Sequence, residues 1–159
     1  PRGVRRVDVR SALQMQAAVQ AEVDQADVFV ATAAVADWRP AQASDEKIKK
    51  DGSGKTPVLN FTENPDILAG VAASERSRSG QLFCVGFAAE SHDLLSNAQA
   101  KRLRKGVPLL AGNIGPATFG QDDNALLLID AQGTLALPHA SKLTLARQLI
   151  EQIALRLLR

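Results

Sequence analysis

Lys101 and Lys105 stand four positions apart in a segment of helical period, so both ammonium groups project from one face and can reach a single polyanion. A lysine is a compact point charge suited to phosphate. The same pair also fits a plainer reading, a solvated helix end whose cations complement the helix dipole. Lys47 lies in Glu46-Lys47-Ile48-Lys49-Lys50, within a polar stretch over 37–57. That stretch is far longer than an ordinary connection of about 4–6 residues, and Lys47 can close over the same anion.

Other residues, most of the key ones polar, fall where an α/β sheet would present them to a ligand. Asp37 follows Ala33-Ala34-Val35-Ala36; Asn64-Pro65-Asp66-Ile67-Leu68 follows the next strand; Phe87 lies in Val85-Gly86-Phe87-Ala88-Ala89-Glu90; and Asn113 ends another strand. Open α/β sheets bind ligands at the carboxyl ends of their strands. A helix beginning at Asn64-Pro65-Asp66 would also present unpaired amides to hydrogen-bond acceptors. Taken singly, Asp37 reads as a turn residue, Phe87 as core and the lysines as a solvated run. It is their joint placement along one sheet edge that argues for a phosphate-bearing ligand.

The elements that must hold these residues follow from the apolar pattern. Runs rich in Val, Leu and Phe alternate with helical segments, the pattern of a largely parallel sheet covered by helices on both faces. Strands are expected over 5–9, 27–34, 58–62, 81–88, 107–113, 125–130 and 134–137, the last two forming an antiparallel hairpin around Gln132-Gly133. A first helix starts at Ser11, which caps it while Gln14 reaches back, and carries the stripe Ala12, Met15, Val19 and Val23. Met15 therefore reads as core rather than ligand. The second helix starts with Asn64 as cap, Pro65 in the first turn and Asp66 at the positive end of the dipole. A third spans 91–105 with Leu94, Leu95, Ala98 and Leu103 inward; the last starts near Ser141 with Leu143, Ala146, Ile150, Ile153 and Leu157 inward.

At 159 residues the chain fits one domain, and a domain of that size buries roughly 68–70% of its unfolded surface. Nineteen basic against 17 acidic residues give a net charge of +2, too even to suggest a nucleic-acid or membrane partner. The one cysteine, Cys84, sits in an apolar run, which excludes a disulfide framework and points to a buried thiol in a reducing, cytoplasmic compartment. No apolar run approaches a membrane span, the first residues do not resemble a secretory signal, and the absence of an initiator Met suggests a segment of a longer product.

Competing motifs fail on inspection. Gly54-Lys55-Thr56 ends like a P-loop, but Lys49 stands where that loop needs its first glycine. The Gly-x-Gly-x-x-Gly fingerprint follows none of the expected strands, which argues against an NAD(P)-dependent oxidoreductase. His92 and His139 have no Cys or carboxylate at metal-ligand spacing. Asn60-Phe61-Thr62 matches a glycosylation sequon but reads as strand sequence.

Five of these segments, Ala33-Ala34-Val35-Ala36-Asp37-Trp38, Glu46-Lys47-Ile48-Lys49-Lys50, Asn64-Pro65-Asp66-Ile67-Leu68, Val85-Gly86-Phe87-Ala88-Ala89-Glu90 and the Lys101/Lys105 pair, occur in an order and spacing that resembles bacterial phosphopantothenate–cysteine ligase. The resemblance runs from Val4 to the final helix. It implies a Rossmann-like three-layer α/β sandwich and one CTP-binding domain over 1–159, without the family's opening strand and glycine-rich loop.

It further implies a cytoplasmic homodimer that ligates 4′-phosphopantothenate to L-cysteine through an acyl-cytidylate, with CTP as co-substrate and Mg²⁺ as cofactor. FMN would belong to a decarboxylase half not contained in this chain. Carried over to these positions, Asp37 contacts the nucleotide and is a candidate Mg²⁺ ligand; Pro65, Asp66, Ile67 and Leu68 recognise cytosine; Phe87 packs against the nucleotide. Lys47, Lys101 and Lys105 bind the triphosphate, Lys47 being the catalytic choice, and Ala33 and Ala34 admit the acyl substrate. Gly112 departs from the family, which more often has Ala there. The alternative is a non-catalytic nucleotide-binding or dimerisation fragment of the same enzyme.

Overall fold

The computed structural model describes residues 3–42, 56, 58–115 and 120–158. Its centre is a five-stranded sheet in the order β1-β4-β5-β6-β7. The strands are β1 (Val28–Ala31), β4 (Phe83–Glu90), β5 (Leu109–Ile114), β6 (Asp123–Ile129) and β7 (Thr134–Ser141). β1, β4 and β5 are mutually parallel, whereas β6 runs antiparallel to β5 and β7 antiparallel to β6. The expected α/β class, with parallel strands leading into an antiparallel carboxyl-terminal hairpin, is thus what the chain adopts. Asp130 closes that hairpin by accepting from the amides of Gln132 (2.8 Å) and Gly133 (3.1 Å).

Helices cover both faces. α1 (Ala12–Val23), α2 (Ile67–Ala72) and α4 (Leu94–Lys105) lie on one side, where Val19, Val23, Ile67, Leu68 and Leu94 pack onto a buried cluster containing Cys84, Ala88, Ala98 and Leu110. α5 (Lys142–Leu157) covers the other, burying Leu145, Leu149 and Ile153 against Val85, Leu109, Ala111 and Leu128. Burying one such leucine contributes about 1.5–3 kcal/mol. The alternation of β4 divides the two cores: Cys84 and Ala88 face α2 and α4, while Val85 faces α5. α3 (Glu75–Arg78) is a single turn leading into β4.

Ser11 caps α1 as expected, and Ser141, near which the last helix is expected to start, caps α5; they accept from the amides of Gln14 and Thr144 (3.2 Å each). Gln14 does reach back, to the amide of Arg10 (2.8 Å). Cys84 is fully buried, its thiol 3.4 Å from the Ser77 hydroxyl. Burial pushes that thiol's pKa up, and the Ser77 contact only partly offsets the effect, so it is a structural thiol.

Several expectations need correction. Residues 5–9 form no strand; Val4 and Val7 are exposed, and among the described residues no neighbouring strand pairs with them. Residues 58–62 do not join the main sheet. Instead β3 (Phe61–Glu63) pairs antiparallel with β2 (Trp38–Pro40), an unexpected strand inside the polar stretch, as a separate two-stranded sheet. The cap of α2 is Asp66, not Asn64. On α4, Ala98 is buried and Leu94 packs inward, but Leu95 and Leu103 are exposed. On α5 the buried stripe is Leu145, Leu149 and Ile153, leaving Leu143, Ile150 and Leu157 outside. In these leucine-rich helices two apolar stripes compete, and the contact with the sheet selects the one spaced by fours.

Candidate functional site

Register on the sheet sets where the candidate residues meet. Ala31, the last residue of β1, pairs with Gly86, and β4 continues to Glu90. Ala33 and Ala34 leave β1 at that level, both exposed, and the chain passes through Asp37 into β2. Gly86 is also where Leu68 lies close: a β-carbon built on this glycine would sit 2.8 Å from Leu68 Cδ2. The end of β1 and the start of α2 therefore converge over the middle of β4, on the face shared with α4.

Direct bonds join the two segments. The Asn64 amide donates to the Asp37 carbonyl (2.7 Å), and the Asn64 side chain donates from Nδ2 to the Ala36 carbonyl (2.8 Å). Arg39 donates to Asn64 Oδ1 (3.2 Å) and to the Glu63 carbonyl. Asp66, the next polar residue, accepts from the Ala69 amide (3.0 Å), so the first turn of α2 is capped by its own carboxylate rather than wholly open to a ligand. That carboxylate is also paired with the Lys105 ammonium at the end of α4. Partial burial pushes the Asp66 pKa up, but Lys105, the Ala69 amide and the charge of Arg104 outweigh it and hold the carboxyl below its ordinary value. Lys101, one turn earlier on α4, is half-buried.

Ala33, Ala34, Asp37, Pro65, Asp66, Ile67, Leu68 and Lys105 thus belong to two neighbouring segments and the helix end tied to them, with Lys101 one turn behind. Phe87 is placed differently. Its neighbour Gly86 faces Leu68, so strand alternation sends the Phe87 ring to the α5 face, where it packs with the cluster of Val85, Leu109 and Ala111. Asn113, paired with Ala89, lies further along the sheet, three residues beyond Leu110, which is level with Gly86. The site accordingly lies at the carboxyl end of β1 but level with the amino end of β5, not along one common rim. Lys47 falls outside the described residues.

Two residues of this site, Asn64 and Arg39, take roles that local sequence does not announce. The sequence marks Asn64 as a helix cap, a role that Asp66, two positions on, takes. Arg39 carries no sequence signal beyond period-two alternation, being half-buried between the exposed Trp38 and Pro40. Neither histidine joins the site: both are exposed, His139 beside Asp123 (3.4 Å) and His92 beside its neighbour Asp93. Among the described residues no group of three His, Cys, Asp or Glu side chains could hold a metal ion. No helix among them is long and apolar enough to cross a membrane.

Comparison with known proteins agrees with this architecture. The family model described as DNA/pantothenate metabolism flavoprotein C-terminal domain matches residues 1–157. The coenzyme A biosynthesis bifunctional protein CoaBC of Vibrio cholerae is 40% identical over 156 residues, covering 96% of this chain and 38% of that protein. CoaBC of Escherichia coli K12 is 42% identical over 160 residues, with 98% and 39% covered. The chain therefore spans well under half the length of these relatives.

Among solved structures, the C-terminal domain of CoaBC superposes with a TM-score of 0.78 at 26% identity, covering 99% of this chain and 68% of that one. A Cab2 variant in complex with phosphopantothenate-cysteine shares the fold, with a TM-score of 0.71 at 18% identity and coverage of 95% and 52%. On the match over 1–157 and these identities, the chain belongs to the family of the DNA/pantothenate metabolism flavoprotein C-terminal domain, the family of the carboxyl-terminal part of the bifunctional coenzyme A biosynthesis protein.

Proposed function

We propose that this domain carries out the CTP-dependent joining of 4′-phosphopantothenate to L-cysteine, as part of a longer cytoplasmic, homodimeric enzyme. The observation that carries the reading is the convergence of the 33–37 segment, the Asn64–Leu68 segment and the Lys105 end of α4 in a chain of this family. In the first step a carboxylate oxygen of phosphopantothenate attacks the α-phosphorus of CTP and pyrophosphate leaves. In the second, the cysteine amine attacks the acyl carbon, CMP leaves, and the amine proton passes to solvent.

Both steps move negative charge onto a departing phosphate group, and catalysis of this kind rests on positioning and on cations aimed at the developing charge. Lys101 and Lys105 supply cations from one helix face, and Lys47 is the third, acting as the catalytic charge donor. Ile67 and Leu68, held against the core, offer cytosine a fixed backbone edge, while Pro65 and Asp66 set where that edge begins. Ala33 and Ala34 leave room for the acyl chain, and Phe87 stiffens β4 from the opposite face.

Mg²⁺ fits this donor set. It binds through one or two carboxylates together with substrate phosphates, and Asp37 presents an exposed carboxylate on a segment held by its backbone. The ion would offset triphosphate charge; Asp37 is the residue that would hold it.

Calorimetry with CTP and ATP in the presence of Mg²⁺ tests the reading, with CTP expected to bind more tightly. Equal binding of both nucleotides would overturn cytosine recognition by the Pro65–Leu68 segment. CTP binding without pyrophosphate release, when phosphopantothenate and cysteine are added to the full-length protein, would favour the second reading, a nucleotide-binding or dimerisation module.

A further inference from the structure

We infer that Arg39 and Asn64 are positioning residues that lock the Asp37 segment to the start of α2 and thereby set how tightly the site holds a nucleotide–metal complex. The inference rests on the function proposed above, but its observations are separate from the residues that would touch ligand.

Asn64 uses its donors and acceptor in three directions. Its amide nitrogen Nδ2 donates to the Ala36 carbonyl (2.8 Å), its backbone amide donates to the Asp37 carbonyl (2.7 Å), and its Oδ1 accepts from Arg39 (3.2 Å). Ala36 lies 28 positions away in the chain. The side chain is not needed for the helix, because Asp66 caps α2. Only an amide meets this demand: Asp would lose the donor to Ala36 and place a carboxylate against a carbonyl, and an apolar residue would lose both bonds.

Arg39 completes the lock. It is the inward-facing member of β2, opposite Thr62, and it donates to the carbonyl of Glu63 as well as to Asn64. The β2–β3 sheet has just three residue pairs. An isolated two-stranded ribbon is at best marginally stable, so the bonds that Arg39 and Asn64 add between its two sides at this end help to hold the 36–39 and 63–64 segments together. The ribbon in turn fixes both ends of the site, with Asp37 entering β2 and Asn64 leaving β3. A carboxylate that must meet a nucleotide-bound cation gains from being held in place before ligand arrives, since ordering it afterwards weakens binding.

The test uses the full-length protein and two variants, Asn64→Leu and Arg39→Met, with hydrogen exchange, thermal melting and steady-state kinetics. Each net hydrogen bond corresponds to a few-fold in an equilibrium constant, so Asn64→Leu should raise the KM for CTP about tenfold. The KM for cysteine should stay unchanged, and amide exchange over 36–38 and 64–66 should accelerate in the absence of nucleotide. Arg39→Met, which keeps the Ala36 and Asp37 bonds, should show the same pattern at roughly a third of the size.

Wild-type KM for CTP and wild-type exchange in both variants would overturn the inference. So would a uniform rise of all KM values together with a lowered melting temperature, the mark of a merely structural role. Should wild-type protein fail to bind CTP, the functional reading falls, and the exchange measurement still decides whether these residues lock the two segments.

Discussion

The ammonium of Lys105, at the last position of α4, is paired with the carboxylate of Asp66, which in the same structure caps α2 through the Ala69 amide. One carboxylate thus fixes a helix start and a helix end to each other. Lys105 is mostly buried, but Asp66 is nearly half exposed, so solvent screens the pair and it should matter more for placing a cation than for stability. Exposed pairs contribute about 0–1 kcal/mol. Lys105→Met is expected to change the free energy of urea unfolding by no more than about 1 kcal/mol, while clearly weakening CTP binding in calorimetry. A variant that unfolds much more readily yet binds CTP normally would reverse that assignment.

Acid should act through two carboxylates. Asp66 and Asp130 are both held below the ordinary carboxyl value. At Asp130 burial pushes upward but is outweighed by Arg156, whose Nε and Nη2 lie 2.9 and 2.7 Å from Oδ2, and by the amides of Gln132 and Gly133. A carboxyl whose folded pKa is depressed contributes stability that is present above the unfolded value, about 3.9, and is lost as pH falls through the folded value. Urea midpoints should therefore be flat from neutral pH to about 5 as far as these two groups are concerned, and fall below about 4. Asp130→Asn should lower stability at neutral pH and shallow the acid limb. An acid limb as steep as that of the wild type would rule Asp130 out as a source.

Gly86 is the contact between sheet and site that tolerates least. A β-carbon there would sit 2.8 Å from Leu68 Cδ2 and 3.0 Å from Leu110 Cδ1, and Leu110 is fully buried. Gly86→Ala must displace one of them, a destabilisation of about 1–3 kcal/mol as for other overpacked cores. The two close contacts lie on different leucines, so turning one side chain does not relieve both, and the urea midpoint should fall. Gly112 is a milder case. A β-carbon there would meet Leu94 Cδ1 at 2.9 Å and Ala98 Cβ at 3.4 Å, and a turn of the Leu94 side chain relieves the closer contact. The midpoint of Gly112→Ala should stay nearer to wild type than that of Gly86→Ala.

Lys47 is tested by Lys47→Gln in the full-length protein. Removing one well-placed charge donor costs roughly 10²–10³ in kcat in comparable sites, so pyrophosphate release should slow by about that factor while the melting temperature holds. Unchanged turnover would remove Lys47 from the mechanism.

Much of the architecture could be read from local chemistry. Ser11 and Ser141 announce their helices because a hydroxyl at that position satisfies an amide regardless of what packs nearby. Gln132-Gly133 announces the hairpin because Asp130 can bond both following amides within four residues. The alternation of β4 and the burial of Cys84 likewise follow from an apolar run too long to face water. Residues 5–9 show the limit: their alternating pattern suits a strand, but a strand exists only with a neighbour to pair with.

The site divides along the same line. Residue order alone settled which segments carry polar groups suited to a phosphate ligand: Asp37, the Asn64–Leu68 run and the lysines of α4 are visible as letters. Which of them meet, and how, depended on contacts between positions far apart in the chain. Asp66 displaced Asn64 as the cap, Asn64 turned back to Ala36, Lys105 found Asp66, and Phe87 went to the opposite face from Leu68. Propensity and spacing act over a few residues, whereas these pairings span 28 and 39 positions, where sheet register and core packing choose among partners that local sequence leaves equivalent.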